Sequence, residues 1–206
     1  MTSAISRSVK YTIGIDEVGR GPLAGPVAVG VVASTLPGSK LRSLFPAIKD
    51  SKKLSARKRE EWFARMRKEA RDKKLSYHVS FVSQGVIDRH GISYALKKAM
   101  KASLAKLSCD PKACRVLLDG GLAAPEEYVF QTTIIKGDEK ELLIALASIA
   151  AKVLRDRKMV AYGKQHPQYL FEQHKGYGTT EHMSRIKQYG ISPIHRRSFL
   201  GGIDLK

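Results

Sequence analysis

Four acidic residues stand out by their type and setting. Asp16 and Glu17 follow the run YTIGI, Asp119 follows RVLL, and Asp138 follows TTIIKG. Each site closes a short β-prone run beside glycine. If these three strands lie parallel in one sheet, their C-terminal ends share an edge and the four carboxylates meet there. Carboxylates gathered at one point repel each other unless something cationic neutralises them. Mg2+ or Mn2+ suits oxygen ligands, and two such ions side by side activate water and stabilise a leaving oxygen in phosphodiester hydrolysis. Any one of these acids alone is more simply explained as a loop cap or the partner of a nearby lysine. The chemistry rests on the coincidence of three strand ends.

The stretch after Asp16 and Glu17 raises a second question. GRGPLA, residues 19–24, matches the G-x-G-x-x-[GA] pattern of dinucleotide-binding loops, in which a helix opens at the glycines so that its N–H groups meet a pyrophosphate. Residues 25–32 do not suit a helix. Gly25, Pro26 and Gly30 would break one, while Val27, Val29, Val31 and Val32 alternate or run together as in a half-buried or buried strand. The segment therefore reads as strand, tight glycine turn, strand, which argues against a Rossmann cradle.

The elements that must position these residues are legible in the periodicity. A strand pair spans about 11–34. SARKREEWFARMRKEARDKK follows as a helix capped by Ser55, with Trp62, Phe63 and Met66 on its apolar stripe. SYHVSFVS alternates like a strand, and IDRHGISYALKKAMKASLAKL reads as one amphipathic helix. CRVLLDGG is a buried strand leading into a functional loop, and FQTTIIKGD repeats that design up to Asp138. ELLIALASIAAKVLRDRKMVAYGKQH is apolar all round at first and polar later, as in a helix that starts buried on a sheet and emerges into solvent. The order predicts an α/β domain around a mixed sheet whose first pair is antiparallel. The last forty or so residues, rich in His, Tyr, Lys and Gly, form a small appendage in this reading.

Charge is the strongest compositional signal: 37 basic against 19 acidic residues give a formal +18 over 206 residues. Residues 40–75 hold 14 basic and 5 acidic side chains, and residues 151–206 hold 11 and 4. Such blocks attract a polyanion, and the groups around Lys52, Lys53 and Arg57 and around Lys175, Arg196 and Arg197 are expected to track phosphates. Aromatic residues are too sparse for a single-strand stacking platform. Cys109 and Cys114 fit neither a zinc knuckle nor a redox C-x-x-C and are expected as reduced thiols. Three prolines and four glycines between Gly21 and Ser39 argue against a membrane span there, and LLIALASIAA is about half the length a bilayer requires. With no signal peptide in view, a cytoplasmic protein without membrane contact is expected.

IDEVGRGPLAGPV, DSKKLS, LLDG, IIKGD, ASIAAKVLRDR, HKGYGT and HRRSF occur in the order and approximate spacing found in bacterial ribonuclease HII, the type 2 ribonuclease H, and the chain resembles that family from about residue 12 to 200. The resemblance implies a ribonuclease H-like fold: a five-stranded mixed β-sheet flanked by helices, with residues 1–165 as the catalytic domain and 166–206 as a small helical C-terminal extension that contributes to substrate binding. It implies two divalent ions, Mg2+ or Mn2+, on catalytic Asp16, Glu17, Asp119 and Asp138, the acids that the strand-end argument selects. It further implies that Gly19, Arg20 and Gly21 approach the 2′-hydroxyl and neighbouring phosphate of a ribonucleotide and that Tyr177 packs on its sugar; the charge argument adds Lys53, Lys175, Arg196 and Arg197 as expected substrate contacts. The implied activity is hydrolysis of the RNA strand of RNA/DNA hybrids and cleavage 5′ of single ribonucleotides in duplex DNA, by a monomer, as the start of ribonucleotide removal. Lys49, Gly91 and the pair Ala145 and Leu146 depart from the family's usual residues. The residues by themselves leave two other readings open, a basic nucleic-acid-binding protein without catalysis and a two-metal enzyme acting on small phosphoesters. His174 and His195 lie in no triad-like or H-E-x-x-H setting that would make them bases.

Overall fold

A computed structural model describes residues 9–46, 48 and 54–201. Lys49, Lys52 and Lys53 lie outside the described residues. Strands β1 (Tyr11–Val18) and β2 (Val27–Ser34) pair antiparallel with Ile15 opposite Val31. Outside β2 lies β3 (Ser76–Val82), also antiparallel. On the other side of β1, β4 (Cys114–Asp119) and then β5 (Phe130–Ile134) run parallel to it, giving the order β3-β2-β1-β4-β5. Every residue of β2 is buried, which explains why VAVGVVAS reads as a continuous apolar run. The mixed sheet, its antiparallel first pair and its three parallel strands are as the sequence predicts.

Helices cover both faces. On one, α3 (Gln84–Leu104) packs Ile87, Leu96 and Met100 against Ile13, Ile15 and Val29. On the other lie α2 (Ala56–Arg71), capped by Ser55 Oγ accepting from Lys58 N–H, and α5 (Leu142–Gln165), whose first ten residues are all buried. α5 sits very close to the sheet because the sheet has no side chains in its way. A Cβ on Gly14 would lie 2.2 Å from the Leu143 carbonyl carbon, and one on Gly30 would lie 2.4 Å from the Ala147 carbonyl oxygen. The remaining helices are α1 (Gly38–Leu44), α4 (Gly137–Lys140), α6 (Phe171–His174) and α7 (Thr180–Tyr189). Among the described residues no helix is long and apolar enough to cross a membrane, and both cysteines are free thiols.

The structure corrects three expectations. Gly91, at φ 80° and ψ 163°, breaks α3 into two helical pieces where one continuous helix is expected; that backbone region is essentially open to glycine alone. β5 is an exposed edge strand, not a second buried one, which accounts for its polar Gln131, Thr132 and Thr133. Asp138 is not at a strand end: β5 stops at Ile134, Lys136 takes a left-handed conformation, and Asp138 follows on the single turn of α4. The short α1 is not anticipated by the periodicity.

Since the nearest atoms to a Gly14 Cβ are backbone of α5, which cannot rotate away, Gly14→Ala is expected to cost about 3 kcal/mol, the upper end for overpacking. Chemical denaturation measures this, and an unchanged stability would contradict the seating of α5.

Candidate active site

Asp16 shares the face of β1 that α5 covers, where the Ser148 side chain hydrogen-bonds it, and its Oδ1 accepts from Glu17 N–H at 2.8 Å. It is only 3% exposed. Burial, reinforced by the charges of Glu17 and Asp119, pushes the Asp16 carboxyl up to about 8 despite these hydrogen bonds. Burial also lifts Glu17, against the pull of the Arg20 guanidinium 3.2 Å from its Oε1, and Asp119 lifts it further. The other oxygen, Glu17 Oε2, is buried and has no hydrogen-bond partner among the described residues. Asp119 lies one residue beyond the Ile15–Leu118 pair of the parallel β1–β4 ladder, and its Oδ1 accepts from Gly137 N–H at 2.6 Å, which brings the peptide preceding buried Asp138 against it. Among the described residues no group of three or more His, Cys, Asp or Glu side chains is drawn together into a ready-made metal-ligand set. The donor chemistry nevertheless suits a hard divalent cation: the buried Asp16 carboxyl is raised by burial and by the neighbouring charges of Glu17 and Asp119, and Glu17 beside it carries a buried, unpartnered oxygen.

Beside the acids, the chain after β1 makes the Gly19–Arg20–Gly21 turn, and two buried arginines hold it. Arg155, from α5, donates through Nε to Pro26 O (2.9 Å), through one terminal nitrogen to Ala24 O (3.2 Å) and through the other to Lys175 O (3.0 Å). Arg196 donates to Gly25 O (2.9 Å), Arg20 O (3.0 Å) and Gly19 O (2.7 Å). The loop at the start of the HKGYGT tyrosine docks on the same turn by backbone, with Leu23 N–H donating to Gly176 O at 2.8 Å. Gly19 is at φ +88°, and a Cβ there would lie 2.2 Å from Arg155 Nε; around Gly21 a Cβ meets nothing within 4 Å. The two glycines therefore differ in role: the fold requires the first, while the second leaves an open approach.

A cavity of about 340 Å³ joins Asp16 and Glu17 to Gly19, Arg20, Gly21 and Tyr177, with Arg59, Ser148 and Lys152 completing its wall. Tyr177 is 42% exposed, with the Lys152 ammonium 5.8 Å from its ring centre. The phosphate-tracking expectation for Arg196 needs correction: it is wholly buried and its guanidinium is engaged with turn carbonyls, so it supports the turn and cannot reach a phosphate. Lys175 is partly buried and points its ammonium at Glu172 O, while Arg197 is exposed, its backbone N–H bound to Asp88. Neither lines the cavity. Sequence reasoning missed Ser148, Lys152, Arg155 and Arg59. The first three recur at i, i+4 and i+7 within ASIAAKVLRDR, the spacing of one helix face, so a signal for them was present.

The ribonuclease HII family model matches residues 13–201. A ribonuclease HII from Ruminiclostridium cellulolyticum is 45% identical over 197 residues, 96% of this chain and 72% of that protein. Among solved structures, the PCNA:RNase HII complex of Archaeoglobus fulgidus contains a chain that is 27% identical, with a TM-score of 0.75 over 95% of this chain and 96% of that one. Bst-RNase HIII in complex with Mn2+ is alike in fold, with a TM-score of 0.61 at 16% identity over 91% of this chain and 66% of that one.

A carboxyl with its pKa raised in the fold loses its stabilising effect as pH rises from the ordinary value of 3.8 towards about 8. In metal-free buffer at pH 8, Asp16→Asn should therefore raise the midpoint of thermal unfolding, by about 2–4 °C for each kcal/mol recovered, and the gain should shrink as pH falls towards 4. Magnesium should raise the wild-type midpoint and leave that of Asp16→Asn nearly unmoved. A variant melting below the parent at pH 8 would show that Asp16 is not held at electrostatic cost.

Proposed function

The chain belongs to the ribonuclease HII family and is thus a ribonuclease of the H type, and from that premise we propose that it is a divalent-metal-dependent endonuclease cutting the RNA strand of RNA/DNA hybrids and cutting 5′ of a single ribonucleotide embedded in duplex DNA. The products are 3′-hydroxyl and 5′-phosphate ends. The observation that carries this reading is that one cavity is lined by Asp16 and Glu17 of β1, by Gly21, whose Cβ position is open, and by Tyr177.

In this reading Asp16, Glu17, Asp119 and Asp138 hold the ions, with the unpartnered Glu17 oxygen as a ready ligand. With divalent ions held by these residues, the chemistry supplied there would be activation of a water and neutralisation of charge on the departing 3′-oxygen. The chain's own residues do the selecting. A 2′-hydroxyl is the sole difference between a ribonucleotide and its deoxy neighbours, and it can both donate and accept a hydrogen bond. Main-chain groups at Gly21 can approach it because no Cβ intervenes. Tyr177 packs on the sugar from the other wall, and Arg20, Arg59 and Lys152 offer cations to the adjoining phosphates. Exposed Arg197 lies beyond the cavity as a candidate contact to flanking backbone.

The direct experiment is incubation with a DNA duplex carrying one ribonucleotide. Cleavage on its 5′ side is expected with Mg2+ or Mn2+ and not without, and Asp16→Asn or Asp119→Asn should lower it at least about a hundredfold while leaving duplex binding largely intact. Near-normal turnover in both variants would sink the assignment of the acids. Gly21→Ala separates recognition from folding: its stability should stay within about 0.5 kcal/mol of the parent while cleavage falls, whereas Gly19→Ala should be strongly destabilised by its contact with Arg155. If Gly21→Ala cuts as well as the parent, the turn does not read the ribose.

A further inference from the structure

Behind Tyr177 lies a cluster of histidines that the proposed chemistry does not use. His182, on α7, is fully buried, and His195 is 2% exposed. Ser192 N–H donates to His195 Nδ1 at 2.8 Å, with the Ser192 hydroxyl 2.7 Å from the same nitrogen, so that nitrogen accepts and the ring proton sits on Nε2. His195 Nε2 is 3.0 Å from His182 Nε2, which must then accept and leave the His182 proton on Nδ1. His182 Nδ1 is 2.9 Å from the carbonyl oxygen of Tyr177 and donates to it. One assignment of tautomers satisfies every contact, running Ser192 to His195 to His182 to Tyr177. The chain works only when both rings are neutral, because a second proton on either ring would set two donors facing each other. Burial supports that state by pushing both down to about 4.

The neighbouring ring adds a second hold on the same loop. His174 accepts from Gly176 N–H at Nδ1 (3.1 Å), donates from Nε2 to Tyr169 O (2.8 Å) and stacks on His182 with ring centres 4.1 Å apart. Two stacked imidazoles thus hold the N–H before Tyr177 and the C=O after its Cα, while the phenol stands in the cavity. We propose that His182 is a positioning residue for Tyr177 and that His195 acts one step behind it by fixing the His182 tautomer. The inference rests on the reading of Tyr177 as the residue that packs on the ribose.

The test uses crossed amide substitutions. An Asn amide overlays the Nδ1 position of a histidine and a Gln amide overlays Nε2. At position 182 the needed group is the Nδ1 donor, so His182→Asn should keep cleavage of a duplex with one ribonucleotide near the parent level while His182→Gln lowers kcat about five- to tenfold, with KM little changed. At position 195 the needed group is the Nε2 donor, so the order reverses: His195→Gln is tolerated and His195→Asn is impaired. A packing role predicts the same order at both positions. In a Tyr177→Ala background, which should itself be impaired, His182→Gln should cause no further loss. Thermal melting of all variants checks that they fold, and the tolerated partner at each position keeps the comparison readable if the other does not. If the parent leaves the ribonucleotide duplex uncut with Mg2+ or Mn2+, the proposed function fails and the inference falls with it. If the parent cuts and Tyr177→Ala cuts equally well, the function stands and the inference is overturned. If Tyr177→Ala is impaired but the crossed order is absent, the histidine relay alone is overturned.

Discussion

Six backbone carbonyls, those of Gly19, Arg20, Ala24, Gly25, Pro26 and Lys175, accept from two buried guanidinium groups. A tight turn between two strands cannot satisfy all of its carbonyls through a ladder. Leaving one such group unpaired in the interior costs about 1–3 kcal/mol, so the turn exists in this shape only because Arg155 and Arg196 reach it from opposite ends of the later chain. Each planar fork serves three acceptors, which an ammonium of lysine could not do with the same fixed geometry.

The same arrangement has an electrostatic effect. Burial lowers Arg155, and burial with the nearby Arg155 charge brings Arg196 down to about 9, so both remain cationic at neutral pH. Charges sealed from water are screened far less by salt than exposed ones. Two cations behind the turn therefore favour an anionic phosphate in front of it without touching one. They lie in the same fold as a carboxylate group under strain, where Asp16 is pushed up to about 8. The region is polarised between a glycine turn backed by positive charge and an acid site in need of it, which is a suitable pattern for a polyanion and its counterions to occupy together.

How much of this the sequence discloses depends on the range of the interactions. The sheet, its parallel strands and the buried start of α5 are legible because they rest on local periodicity. Asp16, Glu17 and Asp119 are found at strand ends for the same reason. Asp138 is misplaced on its element, because the left-handed Lys136 that ends β5's direction leaves no signature in residue type. Arg196 is misread as a phosphate contact because charge at the level of sequence counts as surface, and only three dimensions reveal a guanidinium spent on carbonyls 171 to 177 residues away. Gly91 interrupts a helix that amphipathicity alone would continue.

The Gly19–Arg20–Gly21 turn is closed from sequence-distant pieces, which ties its shape to completion of the fold. The acids lie between residues 16 and 138, yet the turn beside them receives Arg155 from α5, the Gly176 carbonyl from the loop before Tyr177, and both the backbone and side chain of Arg196. Ala24 pairs with His195 in an isolated antiparallel bridge, so the segment after α7 acts as a further strand fragment on the turn. A chain lacking these last residues would retain the sheet that carries Asp16, Glu17 and Asp119, because their ladder contacts are made within the first 134 residues. It would lose three of the six carbonyl partners and the tautomer-fixing His195 together. The acids of the sheet would then stand beside a turn with no fixed shape, and the ribose reading proposed for that turn would fail before the sheet itself.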